Sequence, residues 1–155
     1  MNEIILRKVN IKDIDLLFEW TNELAVRENS FCSKLILYAE HVAWFQECLL
    51  DSDVDMYIAE LEGVPAGTIR MNCSNDIAVI SFSVDKNYRG QGIGKKMLQL
   101  AEESIFEKRK DIHCLTGKTK VCNIASQKAF LSNGYKCVKK EQYYEFKKNV
   151  KALRP

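Results

Sequence analysis

No two of the six cysteines (Cys32, Cys48, Cys73, Cys114, Cys122 and Cys137) stand in a C-x-x-C arrangement. Their scatter argues against a zinc site and against a secreted disulfide framework, and no metal is expected. No apolar run approaches the roughly 20 residues that cross a bilayer, and the opening "MNEIILRKVN" lacks a basic stretch leading into an apolar one. A soluble, cytoplasmic protein without a membrane partner follows. Nor is there an internal repeat, a low-complexity tract or a linker. With 155 residues and 46% hydrophobic content, the chain predicts one globular domain over 1–155.

What is present is unevenly distributed. Residues 1–84 hold 6 Lys+Arg and 14 Asp+Glu, a net of −8, whereas residues 85–155 hold 17 and 7, a net of +10. A polyanionic ligand is drawn to the second half, and the acidic half tolerates a cationic acceptor. No aromatic-interleaved basic stripe accompanies the charge, so nucleic acid is not the expected partner.

Periodicity orders the elements. Ile4 to Val9 reads as a strand, and Asn10 with Asp13 caps a helix running to about Glu23, with Ile14, Leu17 and Phe18 on one face. A second helix, Ala39 to Leu50, places Val42, Phe45 and Leu49 on one side. Met56–Leu61 and Ala66–Met71 form a hairpin about Glu62-Gly63-Val64-Pro65, in which Pro65 blocks further pairing, and Ile77–Val84 is a third strand. Ile93, Met97, Leu98, Ala101 and Ile105 recur at helical spacing. "IHCLTGKT" is another strand, Asn123 opens a helix that Gly134 stops, and Tyr135–Lys139 and Tyr143–Lys147 close the chain as strands. The order is β-α-α-β-β-β-α-β-α-β-β, an α+β arrangement.

Between the third of these strands and its helix lies "YRGQGIGKK", residues 88–96, with a glycine at every second position. The loop matches neither a Rossmann fingerprint nor a P-loop. Lys95 stands where the third glycine of G-x-G-x-x-G would be, and Lys96 follows Lys95 where a P-loop needs Ser or Thr. The N–H groups of Gly90, Gln91, Gly92, Ile93, Gly94 and Lys95 can point at a diphosphate, beside the roughly half positive charge of a helix N-terminus.

The remaining pattern, Arg-x-x-Gly-x-Gly on Arg89, Gly92 and Gly94, resembles the acetyl-coenzyme A loop of the GNAT superfamily of N-acetyltransferases. "NIASQKAFLSNGY", Asn123 to Tyr135, is similar to that family's second signature. The resemblance spans nearly the whole chain and implies a three-layer fold, a mixed central sheet flanked by helices. It implies acetyl-coenzyme A as cofactor, with backbone groups of Phe82 and Val84, around Ser83, receiving the pantetheine arm. Asn123 would contact the arm from the opposite side, with Ser126 as a secondary contact. It also admits a homodimer.

The reaction implied is attack of an amine on the thioester. Two proton-handling positions of the family depart from its pattern: Val79 stands where a strand Glu is common, and Phe130 where a helix Tyr is common. Positioning can carry much of the rate, since effective molarities of about 10⁵ to 10⁸ M exceed the roughly 10² to 10⁴ from general acid–base groups. A lysine amine near pKa 10.4 is neutral at pH 7 in about one molecule in 2,500, which favours a more acidic amine. A narrower resemblance, "LFEWTNELAVRENSF" with "EHVAWF", is to the acceptor side of nucleotide-sugar N-acetyltransferases of the pseudaminic-acid type. On that reading Trp20, Phe31 and Trp44 stack on base or sugar, Arg27 pairs with the diphosphate, and His41 shuttles a proton. Ser81 and Tyr38 are further candidates to orient a water or protonate the leaving thiolate. The expected acceptor is a small-molecule amine, a UDP-linked amino sugar foremost. A ribosomal-protein-type N-terminal acetyltransferase and a non-catalytic acyl-coenzyme A binding module stay open.

Overall fold

The computed structural model describes residues 3–150. Seven strands form one mixed sheet: β1 (Ile4–Lys8), β2 (Val54–Leu61), β3 (Val64–Ser74), β4 (Ile77–Val84), β5 (Cys114–Lys120), β6 (Lys136–Lys139) and β7 (Tyr143–Asn149), in the order β1-β2-β3-β4-β5-β7-β6. Every neighbouring pair is antiparallel except β4 with β5. That parallel pair follows from its connection. The sixteen-residue α4 (Ile93–Lys108) carries the chain back across the sheet, as a parallel crossover requires.

α4 buries Ile93, Met97, Leu98, Ala101 and Ile105, the stripe its spacing predicted, against Ile69, Met71, Ala78 and Ile80 of β3 and β4. α5 (Ile124–Ser132) adds Phe130, which stacks on Phe146 of β7 at 4.9 Å between ring centroids. On the opposite face α1 (Ile14–Thr21) and α3 (Tyr38–Leu50) cover β2, with Leu17, Trp20 and Phe45 on Met56 and Ile58. Helix, sheet and helix make the three layers.

Three local expectations change. The helix expected from Asp13 to Glu23 begins as a 3-10 turn, Ile11–Asp13, under an Asn10–Asp13 capping box, and α1 ends at Thr21. A further helix, α2 (Leu24–Asn29), follows at once, with Glu23 capping the Val26 N–H. Its six residues bury no side chain and leave Leu24 72% exposed, so it carries no apolar stripe to read. In α3 the inward positions are His41 and Phe45 rather than a Val42–Phe45–Leu49 row, and Leu49 faces outward. At the hairpin, Glu62 and Gly63 both take positive φ and form a two-residue loop, while Pro65 sits within β3, opposite Glu60, at a register shift.

Candidate active site

The site is built where β4 and β5 part. They pair only over Ile77–Val79 with Cys114–Thr116, yet β4 continues to Val84 and β5 to Lys120. A wedge opens between them. The N–H of Asp85 donates to the Ala66 carbonyl across β3, so by the antiparallel alternation Phe82 and Val84 turn their main-chain groups toward the wedge. A cavity of about 670 Å³ fills this region, with Phe82, Ser83 and Val84 on one wall and Asn123, Ala125 and Ser126 of α5 on the other.

The glycine loop closes one end. Gly90 and Gly92 have φ of 79° and 78°, the left-handed region that glycine enters without the Cβ penalty. Gly92 is the N-cap of α4, so no side chain satisfies the first N–H groups of the helix. Gly94 is needed for a different reason: a Cβ there would stand 3.2 Å from Phe82 Cε2. Gly90, Gly92, Ile93, Gly94 and Lys95 all line the cavity, as do Arg89 and Lys128. A row of donors at a helix N-terminus, ringed by cations, suits the diphosphate of a coenzyme A-type carrier. Gln91 is exposed and is not among the lining residues.

Arg89 does more than face the cavity. Its Nε donates to the Val84 carbonyl at 3.1 Å, and its guanidinium pairs with Glu23 at 3.0 Å, which holds the Glu23 carboxyl below its usual range. Since Glu23 caps α2, that ion pair fixes α2 beside the loop. Ala25, Val26, Asn29 and Ser30 then form a cavity wall, which Lys120 secures through the Glu28 carbonyl at 2.8 Å. The sequence reading put this stretch on the acceptor side and named none of these four residues, whereas they share the cavity with the glycine loop. The lining by Ala125, Ala129 and Ser132 was also missed, although small residues at helical spacing along α5 were there to be seen. Asn123 holds the Ser126 N–H at 3.3 Å, the helix cap its position suggested, while also lining the cavity.

The expected acceptor-side residues lie elsewhere, and several are committed to the fold. His41 is 2% exposed, its Nε2 is 2.8 Å from the Ile14 carbonyl, and its ring stacks on Phe45. That position corrects the proton-shuttle expectation, because the imidazole is enclosed by the α1–α3 core and does not line the cavity. Trp20 is likewise a core residue, donating from Nε1 to Asp85 at 2.8 Å. Arg27 donates to the carbonyls of Thr21, Cys32 and Lys34 and to Ser30 Oγ, an arrangement that braces the α2–α3 loop rather than presenting a fork to a ligand. Tyr38 donates to Asp15 at 2.6 Å. Phe31, 60% exposed, meets Tyr143 edge-on, and Trp44 lies against Arg70.

Strand parity defines an open face on the side of the sheet away from α4. Arg70 pairs with Ser81, Val79 with Thr116, Lys118 with Glu145, and Lys147 with both Thr116 and Lys136. Ser81 and Val79 are exposed there, whereas Phe130, the other departure from the family pattern, is buried between Phe82, Tyr135 and Phe146. Among the described residues Glu145 is the one carboxylate on this face of β3–β7, its side chain 16% exposed and 3.1 Å from Lys147. No alternation of apolar residues marks it in the sequence, so only the register finds it.

Solved structures share this architecture. Campylobacter jejuni N-acetyltransferase PseH with acetyl coenzyme A superposes with a TM-score of 0.73 at 18% identity, covering 95% of this chain and 99% of that one. RimL, a ribosomal L7/L12 alpha-N-protein acetyltransferase in complex with coenzyme A, gives 0.82 at 20% identity, covering 96% and 95%. The aminoglycoside acetyltransferase AAC(6')-Ib with coenzyme A gives 0.81 at 17% identity, covering 97% of each. At such identities the likeness establishes the fold. No protein of curated function matches the sequence. The sequence model of the acetyltransferase (GNAT) family matches residues 15–135, and with that match the wedge, the glycine loop and the mixed sheet come under one description: the chain belongs to the acetyltransferase (GNAT) family.

Proposed function

We propose that the chain transfers an acetyl group from acetyl-coenzyme A to the primary amine of a small, negatively charged acceptor, foremost a nucleotide-linked amino sugar. One juxtaposition supports both halves. The wedge between β4 and β5 has a diphosphate-compatible helix N-terminus at one end and opens beside a sheet face bearing Arg70, Lys118, Lys136 and Lys147 against the single carboxylate of Glu145. Such a face attracts an anionic acceptor and repels a polycation of the aminoglycoside kind.

Acetyl-coenzyme A supplies a thioester, whose carbonyl carbon forms a bond to the amine nitrogen as the carbon–sulfur bond breaks. The Gly90–Lys95 loop holds its diphosphate, and the main chain at Phe82 and Val84 aligns its arm along β4. Glu145 holds the acceptor ammonium and takes up its proton, and Ser81, exposed beside the wedge, orients a water there. The Phe31–Tyr143 contact and Trp44 border the acceptor. The family match favours this enzymatic reading over a passive binding module. A peptide N-terminus is the second acceptor to test, because a face open along β5 and β7 also admits an extended chain.

The test follows coenzyme A release with a UDP-linked 4-amino sugar, with N-terminal peptides and with no acceptor. Turnover with the sugar, at least about tenfold above the peptides, is expected. Turnover with peptides alone would overturn the sugar reading.

A further inference from the structure

The residue expected to read the acceptor's diphosphate, Arg27, has its guanidinium turned to backbone carbonyls. Another arginine is better placed. Arg70 stands on β3 directly opposite Ser81, the next β4 residue on the same face after the last β4–β5 pair, Val79 with Thr116, and so beside the mouth of the wedge. Its guanidinium carbon lies 5.0 Å from the centre of the Trp44 ring, and its Nε donates to Asn72 Oδ1 at 2.9 Å. Those two contacts brace the guanidinium, and among the described residues neither Nη group has a hydrogen-bond partner.

Among the described residues no carboxylate pairs with this guanidinium; the groups facing it are Asn72 of its own strand, Ser81 of β4, and Trp44 and Cys48 of α3. Two other arginines behave differently: Arg7 of β1 holds Asp13 and Glu60, and Arg109, at the C-terminal cap of α4, holds Asp55 of β2. Arg70 is half-buried, and the loss of water around it pulls its pKa down. A desolvated cation without a counter-ion is unfavourable, and it is relieved when an anion arrives with the right geometry. A planar, pre-oriented fork favours an oxyanion group bound through two parallel hydrogen bonds.

We infer that Arg70, braced by Trp44 and Asn72, receives the phosphate-bearing part of the acceptor and thereby selects nucleoside-diphosphate-linked amines. The inference deepens the acceptor reading above and rests on it for the reaction, though not for binding. The same contact orients the acceptor: with its phosphate on β3, its amine extends across Ser81 toward the wedge.

The experiment separates the two. Wild-type protein saturated with coenzyme A, so that the glycine loop is filled, is titrated with UDP, with inorganic pyrophosphate and with uridine by calorimetry, and alongside it Arg70→Gln and Arg70→Lys. UDP is expected to bind wild type, uridine far more weakly, and Arg70→Gln to lose about 10- to 100-fold in UDP affinity, the range of a charge-assisted hydrogen-bonded contact. Arg70→Lys, which keeps the charge but not the fork, should recover only part of it, and affinity for coenzyme A should stay within about twofold in both. Pyrophosphate binding as tightly as UDP would still support the oxyanion contact but remove the nucleoside from it. UDP that fails to bind wild type, or binds Arg70→Gln equally well, overturns the inference. UDP binding that depends on Arg70, without turnover of any UDP-linked amino sugar, overturns only the reaction assigned above.

Discussion

Gly92, Gly94 and Gly117 fail in different ways when they gain a side chain. At Gly92 the obstacle is the backbone, since φ of 78° costs an L-residue roughly 1–2 kcal/mol. At Gly94 it is Phe82, 3.2 Å from the new Cβ. Asp at either position adds like charge at the diphosphate, and both variants are expected to abolish measurable coenzyme A binding in calorimetry. Unchanged affinity in both would refute the cradle. Gly117 is distant from the diphosphate but closer to a clash: a Cβ would fall 2.3 Å from Phe130 Cζ in the stacked aromatic core. Gly117→Ala is expected to cost about 1–3 kcal/mol, read as a Tm several degrees lower at about 2–4 °C per kcal/mol. The cradle glycines were legible because their spacing and their place before a helix name them. Gly117 was not, because its partner is thirteen positions away and across an interface.

At the level of elements, α2 is the feature on which sequence and structure differ most. It is too short to show a period, it buries nothing, and it owes its place to anchors from elsewhere in the chain. Removing one anchor should release it. Glu23→Ala deletes both the α2 cap and the partner of Arg89, so hydrogen exchange within 24–29 is expected to rise while α4 stays protected, with coenzyme A bound about 3- to 10-fold more weakly. Exchange unchanged from wild type would show that the wall stands without its ion pair. The long elements were legible for the opposite reason. β4 runs Ile77–Val84 as read from the sequence, and the α4 stripe is buried at every expected position, because each has enough residues on one face to show its period.

For the molecule as a whole, the acidic first half and basic second half become a geometric division only in part. The first half supplies β1 to β4, where Arg7 ties Asp13 and Glu60 together at 2.8 and 3.1 Å, and Asp13 is buried. The hydrogen-bonded Arg7 guanidinium holds the Asp13 carboxyl below the usual aspartate range. A carboxyl depressed on folding contributes stability that is fully present above its unfolded pKa and is lost as pH falls through the lower folded one. Stability measured by denaturant titration from pH 5 downward should therefore decline faster in wild type than in Asp13→Asn, whose starting stability is lower. Parallel slopes would remove Asp13 from the acid response. The acceptor side was the least legible part of the chain. Trp20, Arg27 and His41 look from sequence like ligand contacts, yet each finds a partner inside the fold that no local pattern discloses. Arg70 and Glu145 were passed over because their significance lies in which strands they face.

The brevity of the β4–β5 pairing has a thermal consequence. Among the described residues, three on each strand join a leaf of four strands to a leaf of three, with α4 and α5 packed across the seam. Heat should find that seam first, so without ligand the van't Hoff enthalpy is expected to fall short of the calorimetric one. Coenzyme A, lying in the gap like a spline between two boards, should bring the two enthalpies together.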